Sequence, residues 1–350
     1  MNLIPLLNWS QREFSQLPWR KDRSLFKTLV SEIMLQQTTV GTVKNHFERF
    51  IAQFESLDSL ASATEAELLI AWKGLGYYRR AKNLRKIAQS LVHDHKGKFP
   101  TDLETLTKIP GIGPYTANAL IGIGMDKRAI AVDANLERVI ARLFHIKMEK
   151  GLKLQKEIQV LFEKKQIFSQ KVSFRKLNEA LMDLGRTYCQ ARKVSCELCP
   201  LRNDCLSFSK GNPLLIPIQK KETNKKTIEH ELKLIRIFVT KGNKILVYEK
   251  TKGEWLEGQF EVPTFILEST DSSIKQYPTT KTSFKGLFSF KTGITKYTIH
   301  NVVMELDEKT FKLQFPHFKG EWRSPTDQIS NLSTATIKAF DLLSKKKNKN

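Results

Sequence analysis

"LTKIPGIGPYTANALIGIG" occupies residues 106–124. A short helical run meets a Pro-Gly-x-Gly turn, and a second helix begins at once. Gly111 and Gly113 are expected to supply positive φ and close backbone approach. Pro114 suits the first turn of the following helix. The free N–H groups there, reinforced by the helix dipole, form a natural phosphate site. A tight helix–helix turn without a ligand would read the same way in isolation, so the rest of the chain has to decide.

Charge points in one direction. Lys and Arg number 58 against 36 Asp and Glu in 350 residues, a net charge of +22, while the hydrophobic share of 40 % is ordinary for a folded protein. A basic folded chain is best explained by a polyanionic partner, nucleic acid first, with a solubility surface as the bland alternative. The start, "MNLIPLLNWSQREF", lacks a basic segment followed by a long apolar one, so no secretory signal is expected. No apolar run approaches the roughly 20 residues of a membrane span. A cytoplasmic, nucleoid-associated location is the expectation. The chain closes on "KKKNKN", with 346–350 read as a basic tail.

All four cysteines fall in "CQARKVSCELCPLRNDC", at Cys189, Cys196, Cys199 and Cys205. A secreted disulfide scaffold would spread its cysteines through a much shorter chain. Four thiolates in one loop suit a tetrahedral zinc or a cubane iron–sulfur cluster. Zinc commonly takes paired C-x2-C knuckles. Here there is one such pair and the outer gaps are uneven, which favours [4Fe–4S]. Arg192, Lys193 and Arg202 keep the loop basic, able to rest on a phosphate backbone.

Residues 1–212 read as a helical domain. Leu25, Leu29 and Ile33 recur at four-residue intervals. Thr64 and Glu67 form a capping-box pattern before a run that stops at Gly74. "YYRRAKNLRKIAQSLVHDH" is a basic helix with Leu84, Ile87, Ala88 and Leu91 on one face. Residues 213–229, with two prolines and a charge run, read as a linker. Beyond it, 230–345 carries strand signals: a hairpin around Gly242–Asn243, then "QFEVPTFIL", "ITKYTIHNVVMEL" and "TFKLQF", with "STATIKAFDLLSKK" as a closing helix.

"IPGIGPYTA", an Asp about twenty residues on at Asp133, and the C-x6-C-x2-C-x5-C cluster together resemble the helix-hairpin-helix DNA glycosylases that carry an iron–sulfur cluster. "LPWR" (17–20), "SEIMLQQT" (31–38) and "GLGYYRRAKNL" (74–84) are similar to the branch that removes adenine mispaired with 8-oxoguanine. The resemblance is close over residues 9 to about 208 and weaker to 345. It implies a mostly α catalytic domain followed by an α+β Nudix-like domain. It implies a monomer acting on double-stranded DNA with A:8-oxoguanine or A:G mismatches. Bifunctional members place a Lys just before "TAN" as a Schiff-base nucleophile. Here that place is Tyr115, which implies a monofunctional hydrolase.

Adenine must be protonated as it leaves, and the sugar passes through a cation. An acid near the base, an anion near the sugar and a water therefore suffice. Glu32, on the margin of the Leu25–Leu29–Ile33 stripe, fits the acid, and partial burial would keep it protonated. An exposed helical glutamate is its plain alternative. Asp133 fits the anion and also reads as an N-cap of "NLERVIARLF", a position that favours the ionised carboxylate. By resemblance Asn135 and Tyr115 support these two. Arg20 and Glu179 line the adenine pocket, and Trp19 is expected beside them.

The target base must leave the stack, so something must fill the gap. Tyr77, Leu35 and Gln37 match family residues that intrude beside the oxidised guanine, although Tyr77 could equally be a core aromatic. "GEWLEGQFEVPTF" is similar to a stretch of the Nudix-like domain, but no box of clustered glutamates is visible, so pyrophosphatase activity is not expected. Where the family often reads oxidised guanine with a Phe-Ser-His loop, this chain has Thr295-Lys296-Tyr297, both latter residues being potential donors. Rival readings are a related glycosylase for damaged pyrimidine or mispaired thymine, and a non-catalytic iron–sulfur or zinc DNA-binding regulator that would need neither Glu32 nor Asp133.

Overall fold

The structure is a computed structural model; it describes residues 1–219, 230–280, 286–294, 296–326 and 331–347. The chain divides into two compact units. One comprises Met1–Thr64 and Leu75–Lys221, the other Glu65–Gly74 and Glu222–Asn350. Among the described residues no helix is long and apolar enough to cross a membrane.

The first unit is helical. The long run from Leu25 divides into helices Leu25–Leu35 and Val40–Gln53, capped by the hydroxyls of Ser24 and Thr39. The hairpin forms where expected, between helices Leu103–Lys108 and Pro114–Ala119. Gly111 has φ of 100°, a conformation that glycine adopts at little cost and residues with a Cβ rarely do. Gly113 departs from expectation: its φ is −87°, because it serves as the N-cap of the second helix. A Cβ there would meet nothing within 4 Å, so the space above it is open.

After Ala119 the helix widens into a π turn, Leu120–Gly124. Gly122 is needed there, since a Cβ would sit 2.7 Å from the Ala129 carbonyl oxygen. Asn178, fully buried on helix Phe174–Thr187, then fixes the chain that follows. Its amide donates to the Ala129 carbonyl at 2.9 Å and its oxygen accepts from the Ala131 N–H at 2.8 Å. That grip delivers the chain to Asp133.

The segment read as a linker begins by packing on the first unit. Ile216 is buried, the Ile218 N–H donates to the Met148 carbonyl at 2.9 Å, and the Lys150 N–H donates back to the Ile218 carbonyl at 3.0 Å. The part over 220–229 lies outside the described residues.

The second unit holds a mixed sheet: β1 (His230–Lys241), β2 (Lys244–Glu249), β3 (Phe260–Glu261), β4 (Thr264–Ser269), β5 (Phe288–Ile294), β6 (Tyr297–Leu306) and β7 (Glu321–Arg323). The order is β3-β2-β1-β6-β5, with β4 also on β1 and β7 also on β2. β1 runs parallel to β6, pairing Ile235 with Val302. The expected hairpin is present, with Lys241 opposite Lys244. "TFKLQF" is not a strand. Asp307 caps a helix over Glu308–Gln314 by accepting from the Thr310 N–H at 2.9 Å, and Phe311 is the face it buries. Helix Thr334–Lys347 closes the described part; of the basic tail, 348–350 lie outside it.

Candidate active site

Helix Leu25–Leu35 buries Phe26, Leu29, Val30, Ile33 and Met34. Glu32, on the edge of that face, is 5 % exposed. The Tyr115 hydroxyl, from the second hairpin helix, donates to its Oε2 at 2.6 Å. Burial pushes the Glu32 carboxyl up to about 7. The Tyr115 bond and the Arg20 charge oppose the rise, while Asp133 and Glu179 add to it. Tyr115 is half-buried, and desolvation together with two nearby carboxylates holds it far above the ordinary phenol range, so it stays neutral and donates.

Asp133 is the N-cap of helix Ala134–Leu143. Its Oδ1 accepts from the Asn135 and Leu136 N–H groups at 2.9 and 2.8 Å, and its Oδ2 from the Asn135 side-chain amide at 2.9 Å. The cap was expected to favour the ionised form. Burial outweighs it: the pKa is raised, with the three hydrogen bonds only moderating the rise. Arg138 donates to the Asn135 side-chain oxygen at 2.9 Å and to the Cys189 carbonyl at 2.8 Å, so it ties the cap to the cysteine loop. Gly185 lets the helices meet, since a Cβ there would lie 2.8 Å from that of Asn135.

One cleft of about 830 Å³ gathers Glu32, Tyr115, Asp133, Asn135, Trp19, Arg20, Glu179, Leu35 and Gln37. Sequence reasoning missed three of its charged members, Arg23, Asp183 and Arg186. Arg23 makes a forked pair with Glu179 at 2.7 and 3.1 Å. Arg20 makes one with Asp183 at 2.9 and 3.1 Å, and Asp183 also accepts from Ser10 at 2.6 Å and from Arg186 at 3.1 and 3.0 Å. The signal was present: Asp183 follows Glu179 by four residues on one helix, which places the two carboxylates on one face. Trp19 packs edge-on against Phe47 at 5.7 Å.

Other expected site residues lie elsewhere. Tyr77 is not among the residues lining the cleft; it is 61 % exposed, which excludes a core role. Gly111 and Gly113 stand at the hairpin turn. In the second unit Lys296 is exposed, while Tyr297 stacks on His230 at 5.2 Å, meets Trp255 at 4.9 Å and donates its hydroxyl to Asp271. Thr295 lies outside the described residues.

Cys189, Cys196, Cys199 and Cys205 are all half-buried and line one small cavity of about 30 Å³ with Arg142 and Tyr188. Arg142 donates to the Cys189 sulfur at 3.3 Å. Burial pushes the Cys199 thiol up to about 12 and raises Cys196 and Cys205 as well. Four sulfurs around one cavity with an arginine donor suit a thiolate-bound centre, whose positive metal would offset that burial. Among the described residues no three His, Cys, Asp or Glu side chains stand grouped as metal ligands.

The family model for HhH-GPD superfamily base excision DNA repair proteins matches residues 30–164, which span Glu32, the hairpin and Asp133. An adenine DNA glycosylase of Buchnera aphidicola (from Schizaphis graminum) is 31 % identical over 318 residues, 88 % of this chain and 88 % of that one. The chain belongs to the adenine DNA glycosylase family. The Homo sapiens adenine DNA glycosylase is 35 % identical over 209 residues, 57 % of this chain and 38 % of that one. The solved structure of a thermostable thymine-DNA glycosylase, 27 % identical, superposes with a TM-score of 0.52 over 59 % of this chain and 95 % of that one. The protein is thus a hydrolase of N-glycosyl bonds in base excision repair, and its partner is DNA.

Proposed function

We propose that this chain removes adenine mispaired with 8-oxoguanine or guanine from double-stranded DNA, as a monomeric, monofunctional N-glycosylase in the cytoplasm at the nucleoid. One observation carries the reading: a buried carboxyl poised at about 7 stands in the same cleft as a capped second carboxyl. Burial raises both, but backbone N–H donors hold down the rise at Asp133, which suits Glu32 to the acid and Asp133 to the anion.

The cleft volume falls within the roughly 300–1,000 Å³ of small-molecule sites, enough for a flipped nucleotide. Glu32 gives its proton to N7 of adenine, and the bond between N9 and the sugar C1′ breaks with its electron pair going to the base. Asp133 faces the cation that remains. Water then adds to C1′, and its proton returns to Glu32. Adenine leaves with one hydrogen and the sugar keeps a hydroxyl. Arg20 and Glu179 line the base edge, with Trp19 beside them, while Asn135 and Tyr115 hold the two carboxyls.

Strand cleavage through a Schiff base needs an amine. Among the residues lining the cleft there is no lysine, and the matching place is the neutral Tyr115. The four cysteines support a [4Fe–4S] cluster held by Cys189, Cys196, Cys199 and Cys205. The mixed sheet with its closing helix supports a Nudix-like reader domain. There the exposed Lys296 is the donor proposed for 8-oxoguanine, since the Tyr297 hydroxyl is engaged by Asp271.

The test is Glu32→Gln. The amide keeps the shape and loses the acid, so the variant should bind the 8-oxoguanine:adenine duplex while single-turnover excision drops about 10²–10⁴-fold. Near-normal excision would remove Glu32 from the mechanism. A thymine:guanine duplex run in parallel distinguishes a pyrimidine-directed relative.

A further inference from the structure

Tyr77 and Gln37 sit on separate turns, yet both hold an uncommon backbone. Their φ values are 48° and 54°, the left-handed region that residues with a Cβ seldom occupy. Such conformations persist only where surrounding bonds impose them. Beside both turns stands Arg80, which is 9 % exposed.

Arg80 Nη1 donates to the carbonyls of Ile33 at 3.1 Å, Met34 at 2.8 Å and Gln36. Its Nη2 donates to the carbonyls of Leu75 at 3.1 Å and Gly76 at 3.2 Å, and to the Thr38 hydroxyl at 2.9 Å. One planar fork therefore holds the end of the Glu32 helix, the Gln36–Thr38 loop and the turn before Tyr77. The Tyr77 carbonyl closes the arrangement by accepting from the Arg80 N–H at 2.9 Å. The guanidinium carbon lies 5.3 Å from the centre of the Tyr77 ring. The carbonyls at a helix end lack intrahelical partners and attract a cation. An ordinary cap would serve that one end alone, whereas Arg80 reaches two chain segments about forty positions apart. A lysine cannot replace it, because one ammonium cannot span acceptors that a rigid fork reaches from two nitrogens.

We propose that Arg80 is a positioning residue that clamps the Gln37 loop and the Tyr77 turn into one rigid edge, so that both enter the duplex together as adenine is extruded. This rests on the reading that Tyr77 and Gln37 intrude into DNA. Adenine already unstacked needs no such wedge, so the clamp matters for paired substrate alone.

The full-length protein is compared with Arg80→Lys, Tyr77→Ala and the double variant on two duplexes. One carries 8-oxoguanine:adenine; the other carries adenine opposite an abasic site. A 2-aminopurine beside the adenine reports unstacking, and thermal melting reports folding. Arg80→Lys should slow excision from the mismatch about 10-fold or more and blunt the fluorescence rise, with less than about 2-fold change opposite the abasic site. The double variant should be no slower than the slower single one, because both changes disable one device. Thr38→Val, which deletes one acceptor and leaves the guanidinium in place, should shift the mismatch rate about 3-fold in the same direction. It keeps the test open should Arg80→Lys not fold. Equal slowing on both duplexes, or additive effects in the double variant, overturns the clamp. A normal fluorescence rise in Tyr77→Ala overturns the intrusion reading beneath it, and a defect there with none in Arg80→Lys or Thr38→Val overturns the clamp alone.

Discussion

Glu32 is buried for chemistry and its burial has a thermodynamic cost with a definite sign. Its folded pKa is raised from 4.5 to about 7, so the folded protein binds this proton more tightly than the unfolded chain. The stability linked to it is complete below about 4.5, falls as pH rises, and is lost once pH passes about 7. A shift of that size corresponds to about 3 kcal/mol, since one pKa unit is about 1.4 kcal/mol. Glu32→Gln removes the titration and keeps an oxygen for the Tyr115 hydroxyl. The variant should therefore gain stability relative to the parent between pH 5 and pH 8, by up to that amount. Urea unfolding of both proteins at the two pH values measures it; a difference that stays constant would mean Glu32 is not buried as a neutral acid. The same proton sets the catalytic profile. Single-turnover excision should be high below about 7 and decline above it, because the acid must be loaded before the base departs.

At the level of elements, the cysteine loop is the part least able to hold itself. Between Cys189 and Cys205 its regular structure is two single 3-10 turns, Cys196–Leu198 and Arg202–Asp204, neither with a buried residue of its own. A loop anchored in the helical core by Leu201 alone takes the rest of its shape from what it binds. Protein purified without oxygen should therefore be brown and carry about four irons and four sulfides per chain. A colourless, active preparation with one zinc would refute the cluster. This loop was legible in the sequence because its thiols are adjacent, and so were the hairpin and the Asp133 cap, each written in a few neighbouring residues. What stayed hidden joins distant positions. Arg23 meets Glu179 and Arg80 meets Ile33 only through packing, and no local pattern announces either pair. The helix over Glu308–Gln314 was misread for a related reason. "TFKLQF" alternates like a strand, but Asp307 supplies a cap and Phe311 a helical contact with Phe315, their rings 5.0 Å apart. Gly113 looked like a positive-φ glycine because its neighbour Gly111 is one; a helix start uses extended backbone instead.

Across the whole molecule, every residue assigned to chemistry lies in the first unit, and the proposed reader of oxidised guanine lies in the second. A fragment should therefore separate excision from discrimination, provided it is cut in the right place. Ending at 212 would strip Ile216 from its burial and from the Arg142 Nε–H, which donates to its carbonyl at 2.8 Å beside the cysteine cavity. The cut belongs after 219. The 1–219 fragment keeps Glu65–Gly74, a segment of the second unit, without the rest of that unit, so its melting temperature should fall. It should still release adenine. What it should lose is preference for 8-oxoguanine:adenine over guanine:adenine. A site built on hydrogen-bond donors penalises a base that leaves them unpaired, typically by a few kcal/mol, roughly 10–100-fold in preference. Lys296→Ala in the full chain should narrow the same gap to a smaller degree, because one exposed donor is removed and the domain remains. Tyr297→Phe should add little to discrimination, since that hydroxyl is spent on Asp271. The comparison is single-turnover excision and binding on both duplexes at one fixed salt concentration, because a chain of charge +22 binds phosphate in a salt-dependent way. A fragment that discriminates as well as the whole chain would move the reader into the helical unit, where Tyr77 and Gln37, both exposed, are the side chains proposed to intrude into the duplex.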